Sequence, residues 1–202
     1  MMAFFTHFYK KINLQIGLNL LTSLFLGLLI ISSVAFAESS SIQIKQADLQ
    51  LVDDFYQLNA ELNIDFDAEI EEAINKGVPL HFLIEFQVVS PRKYWFDDEI
   101  ITTTSRVALS YHALTKQYLV NRATHQKSFE TLDEAIDELL QIVDLKVFEK
   151  ILVEKEGVYK AALLMRLDQS KLPKAIQVDT IASEQWNLSS QKYEWPFKPS
   201  TK

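Results

Sequence analysis

The chain has 202 residues, 48% of them hydrophobic and 23% charged, with four glycines, five prolines and no cysteine. That composition supplies enough apolar surface for a core and excludes a disordered or low-complexity chain. The lack of cysteine removes disulfide frameworks, thiolate metal sites, iron–sulfur clusters and thiol nucleophiles together. The formal net charge of −7 gives a surface that repels nucleic-acid phosphates and anionic headgroups, so no nucleic-acid partner is expected.

Lys10 and Lys11 are the only charges before Glu38, and they precede an apolar stretch from Leu14 to Val34 and the small-residue sequence Ala35-Phe36-Ala37. A basic segment, a helical apolar segment and small residues before a charge form a secretory signal, residues 1–37, cleaved after Ala37. The alternative is an uncleaved inner-membrane anchor, because 21 residues at about 1.5 Å each cover roughly 30 Å, a bilayer core. Both readings put the remainder outside the cytoplasm, with the periplasm as the expected address, and membrane contact is expected only if the segment is retained. Removing residues 1–37 takes two cations and no acid, so the remainder carries a net charge of about −9 and forms one domain of standard size, residues 38–195.

Ile42–Val52 alternates loosely and Phe55–Phe66 alternates cleanly, with Tyr56, Leu58, Ala60, Leu62, Ile64 and Phe66 on one side. A hairpin joined at Asp53-Asp54 follows. Asp67 caps a short helix that carries acids in its first turn, Ile70 and Ile74 on one face, and Gly77 past its end. Leu80–Val89 is a strand with apolar residues on both faces, hence central in its sheet. Ser90–Asp98 is a loop containing Pro91. Glu99–Tyr111 and Gln117–Arg122 form a second hairpin about a turn at Ala113–Lys116. Thr131-Leu132-Asp133-Glu134 is a capping box opening a helix that runs to about Val143. Val147–Val153 and Val158–Leu167 flank Gly157 and read as a third hairpin. Ile176–Trp195 holds one or two irregular strands, and residues 196–202 read as a disordered tail. The predicted fold is α+β: a mostly antiparallel, sandwich-like sheet domain with two short intercalated helices behind an N-terminal signal helix.

Several short motifs, in this order and spacing, look familiar: Glu72 to Leu80, Arg92 to Trp95, Tyr111 to Leu114 with Tyr118, Arg166-Leu167-Asp168 with Leu172-Pro173, and Trp186 to Ser190. Together they resemble a family of exported proteobacterial proteins classed as a domain of unknown function, of the proline-rich signal-peptide type. The signal segment of this chain departs from that label in having no proline. The resemblance spans roughly residues 42 to 196 and implies an envelope location; it supplies no activity, ligand or cofactor.

The chemistry-bearing residues are few. Beyond residue 37 the histidines are His81, His112 and His125, no two within metal-ligand spacing, and no nucleophile elbow or calcium loop occurs. No catalytic residue, metal or cofactor is therefore assigned. Asp168 beside Arg166 reads as a structural ion pair. The segment Arg92-Lys93-Tyr94-Trp95 combines cations and aromatic rings in a loop beside Pro91, the composition of a contact surface on an acidic protein. These residues, with Asp97, Asp98 and Trp186, are the candidate binding residues. The leading expectation is a non-enzymatic interaction or accessory module for an envelope protein or exposed polymer, with Arg92 to Phe96 exposed. The competing one is a small-ligand or carbohydrate-binding or -hydrolysing cleft in which Trp95 and Trp186 converge on Asp97, Asp98 and Glu99.

Overall fold

The structure, a computed structural model, describes residues 42–154, 156–180 and 184–199, all of them within the compact unit Ser40–Lys202. The expected signal segment, with its cleavage point, and the last three residues of the expected tail lie outside the described residues.

The described residues build an α+β fold of mostly antiparallel strands in two packed sheets. One has three strands in the order β1 (Ile42–Val52), β2 (Phe55–Ile64) and β7 (Gln141–Glu149). The other has six: β6 (Gln126–Phe129), β5 (Gln117–Arg122), β4 (Asp98–His112), β3 (Leu80–Ser90), β8 (Tyr159–Leu167) and β9 (Tyr193–Phe197). Helix α1 (Ala68–Asn75) carries the chain from the first sheet to the second, α2 (Leu132–Leu140) carries it back, and α3 (Lys174–Thr180) lies between β8 and β9.

Local pattern accounts for the first half. The β1–β2 hairpin turns at Asp53, whose φ is 55°, and buries the predicted face of β2 from Tyr56 to Ile64. At α1 the Asp67 carboxylate accepts from the Glu69 and Ile70 amides at 3.0 and 3.1 Å. The helix ends in a Schellman arrangement: Gly77 at φ 88° donates to Ile74 O, and Val78 donates to Ala73 O. β3 lies between β4 and β8 and buries Leu80, Phe82, Ile84, Phe86 and Val88. Facing it from the smaller sheet is Phe148, stacked on Tyr56 at 4.7 Å and on Phe86 at 6.0 Å, with Phe197 closing the cluster.

Three expectations are corrected. Helix α2 stops at Leu140 rather than near Val143, because the Arg122 Nη2 donates to the carbonyls of Glu138, Leu139 and Gln141 at 2.9, 3.3 and 2.8 Å. A cation from β5 thus occupies the helix C-terminus and Gln141 is already extended, so Val143 is exposed on β7 instead of lying on the helix stripe.

The expected hairpin of Val147–Val153 with Val158–Leu167 does not form: β7 pairs with β2 and β8 pairs with β3, so the two strands lie in different sheets. Gly157 is required there for space, since a Cβ would collide with the Tyr159 ring, whose hydroxyl accepts from the Glu154 amide. Third, the C-terminal segment contains α3, and Pro196 and Phe197, expected in a tail, complete β9. β9 is an edge strand, where a missing N–H can face solvent without breaking a ladder. Strand β6 was not predicted.

Candidate functional site

The β3–β4 hairpin carries the candidate loop. Pro91 ends β3, and the Arg92 amide donates to the Asp97 carboxylate at 3.2 Å across the loop. The Arg92 guanidinium pairs with Asp98, Lys160 of β8 reaches within 4.0 Å of Asp97, and the Lys93 ammonium lies 5.4 Å from the centre of the Tyr94 ring. The acids at the loop end therefore hold its base, as carboxylates at a loop-to-strand junction do. What they leave outside is aromatic: Tyr94, Trp95 and Phe96 are 86, 77 and 88% exposed. Burying a side chain of this kind is worth roughly 1.5–3 kcal/mol, and none of that contributes to this fold. Consecutive exposed rings on a braced loop form an apolar patch of the kind that marks interaction surfaces.

Trp186 is elsewhere. It is 2% exposed, its Nε1 donates to the Glu69 carboxylate of α1 at 2.9 Å, and its carbonyl accepts from Gln169. It sits by Leu188, whose carbonyl accepts from the Leu167 amide opposite Phe82, at the beginning of β3. The loop from Arg92 to Asp97 follows the other end of that 11-residue strand, roughly 33 Å away at about 3.3 Å per residue. Trp95, Asp97, Asp98 and Glu99 thus share one end of the sheet, Arg92 and Lys93 with them, and Trp186 does not join them. Trp195 packs against Phe86 and Tyr193, closing the core. Arg166 pairs across strands with Glu85 at 2.7 Å rather than with Asp168, which lies outside β8. The Ser170 hydroxyl bonds the Asp168 carboxylate and, against the opposing effect of burial, holds its pKa below the usual range, with help from Lys171 and Arg106. Among the described residues no three histidine, aspartate or glutamate side chains gather as a metal site.

The sequence reading missed Arg122. Its Val107 partner is fully buried, and it follows Tyr118 and Val120 on the inner side of β5. A charged residue in phase with apolar ones is the signal that could have found it. Burial pushes its guanidinium below the ordinary pKa, with Glu138 acting in the opposite sense. Beside it a cleft of about 470 Å³ opens between β4 and β7, floored by Ile84, Ile142 and Leu145 and rimmed by Arg106, His125 and Lys146.

Fold and site together define a small two-sheet α+β module with a braced, exposed aromatic loop and a cleft lined by cations. A family model for DUF4390, a domain of unknown function, matches residues 39–196, and the chain belongs to that family. No curated protein and no solved structure matches the chain.

Proposed function

We propose that the protein is an exported, non-enzymatic interaction module of the cell envelope that engages a partner protein through the β3–β4 loop. The observation that carries this reading is the exposure of Tyr94, Trp95 and Phe96 on a loop whose polar residues are spent on its own base. Aromatic and arginine side chains dominate binding energy at protein interfaces, and rings already held outward lose little conformational entropy on docking. Export rests on the N-terminal pattern of two lysines, an apolar stretch and Ala35-Phe36-Ala37.

The test is recovery of the full chain from a gently crosslinked envelope through a C-terminal tag, with mass spectrometry of its N-terminus and of everything attached. One near-stoichiometric partner, lost on Trp95→Ala or Arg92→Ala, is the expected result. A free monomer with no partner, or a partner indifferent to both substitutions, would sink the reading. A mature N-terminus at Glu38 is the expected sign of export and cleavage.

A further inference from the structure

β4 is a 15-residue strand whose two sides are unequally paired. β3 covers one side from Asp98 to Leu109, whereas β5 covers the other only from Val107 to His112. On the β5 side, no strand is laddered to residues 98–106 and among the described residues no backbone–backbone hydrogen bond reaches them there; β7 bonds the stretch only through the Thr103 hydroxyl, which donates to Val147 O at 2.7 Å. One register shift, at Ile100, interrupts the start of this edge; from Ile101 to Arg106 it runs regularly, about 20 Å of threonine-rich strand at roughly 3.3 Å per residue.

Three of the other edges are guarded: β7 has two register shifts, β9 contains Pro196, and β6 is four residues long, whereas β1, past its one shift next to Lys45, runs regularly from Gln46 to Val52 and carries Asp48 with no cation, a charge that repels an acidic segment. Bulges, lysine, proline and brevity are the devices that keep sheet edges from pairing with other chains. The stretch Ile101–Arg106 has none of them.

Its far end is also charged against the trend of the molecule. In a chain of net charge −7, Arg106, Arg122 and Lys146 line the cleft, Arg122 from the core face of β5 and Arg106 from the opposite face of β4, with Asp144 as the one carboxylate lining it, and none of the three cations makes a salt bridge among the described residues. Arg106 faces Asp168 electrostatically at longer range, and Lys146 lies over the Phe55 ring. Arg122 uses Nη2 for the three helix carbonyls, which leaves Nε and Nη1 with no partner among the described residues.

We propose that the β4 edge from Ile101 to Arg106 takes an extended, acidic segment of a partner protein as an added strand, with carboxylates of that segment seated at the Arg106, Arg122 and Lys146 end. Backbone hydrogen bonds to the unpaired edge supply affinity and the cations supply selectivity, the division of labour usual in strand addition. The inference stands apart from the proposed role of the aromatic loop.

The probe is an eight-residue peptide alternating valine and aspartate, added at millimolar concentration to the full chain in detergent, with amide hydrogen exchange as the readout. Exchange across residues 101–106 is expected to slow about tenfold or more, as newly bonded amides do. The same peptide with lysine for aspartate, or with alternate amides N-methylated, is expected to have no effect. The double variant Arg106→Glu, Lys146→Glu should lose the response while keeping the unliganded exchange pattern elsewhere, and Trp95→Ala should keep it. No slowing, equal slowing by the lysine peptide, or an edge already protected through pairing of two copies of the chain, seen as a dimer by sedimentation, would overturn the proposal. A full response alongside an envelope partner indifferent to Trp95→Ala would retain it and remove only the role of the loop.

Discussion

The two ends of β3 carry similar amino acids in opposite states. At one end Tyr94, Trp95 and Phe96 stand in solvent on a loop held at its base by its own polar residues and by Lys160 of β8. At the other Trp186 is buried, its indole N–H satisfied by Glu69 from an element more than a hundred residues earlier. Aromatic density therefore says that a segment matters without saying to what. The deciding factor is whether another element arrives to cover the rings: α1 and the chain after β8 do so for Trp186, and nothing among the described residues does so for Trp95.

The sharpest way to break this comparison is to remove each indole. Trp186→Ala deletes a large core side chain, so a loss of about 3–5 kcal/mol is expected in urea unfolding. Trp95→Ala should change stability by no more than about 0.5 kcal/mol, since the side chain is mostly in water. Equal losses would mean that the two ends are not different in kind. The two tryptophans should also separate by fluorescence: Trp95→Phe removes the most solvent-exposed emitter and should shift the emission maximum to the blue, whereas Trp186→Phe should shift it to the red.

Arg122 comes next in size. Arg122→Met keeps the aliphatic stem but leaves three carbonyls at the end of α2 without their donor, for an expected loss of about 2–4 kcal/mol. Hydrogen exchange should localise the loosening to α2 and the beginning of β7. Loosening spread evenly over both sheets would contradict the capping role.

How much of this was legible follows from where each signal resides. β1 to β5 and α1 are written in local period and local caps: Asp67 and Gly77 act on their own helix, and β3 shows its central position in its two apolar faces. The end of α2 depends on Arg122, which arrives from another strand, so a helical pattern continuing to Val143 was misleading. Val147–Val153 and Val158–Leu167 are adjacent apolar runs around a glycine, and nothing local records that their partners are in different sheets. Pro196 argues against a strand unless the strand is known to lie at an edge. The exposed loop was legible because Pro91, Arg92 and Lys93 surround its rings; the burial of Trp186 was not, because its partner Glu69 is so distant in sequence.

The smallest expected effect sharpens the comparison in a different way, by asking whether charge matters at the end of the sheet where Trp186 lies. Asp168 anchors the turn after β8: its amide donates to His81 O, and its carboxylate is bonded by the Ser170 hydroxyl, which lowers its pKa. A carboxyl held lower in the folded than in the unfolded chain adds stability above its unfolded pKa, and that contribution is lost as pH falls through the folded value. Asp168→Asn should therefore be less stable than the parent at neutral pH, with the difference in urea midpoint shrinking as pH drops through and below the ordinary carboxylate range. Ser170→Ala should show the same trend, because the hydroxyl is the main cause of the shift. A midpoint difference that stays constant with pH would assign the role of Asp168 to the shape of the turn rather than to its charge.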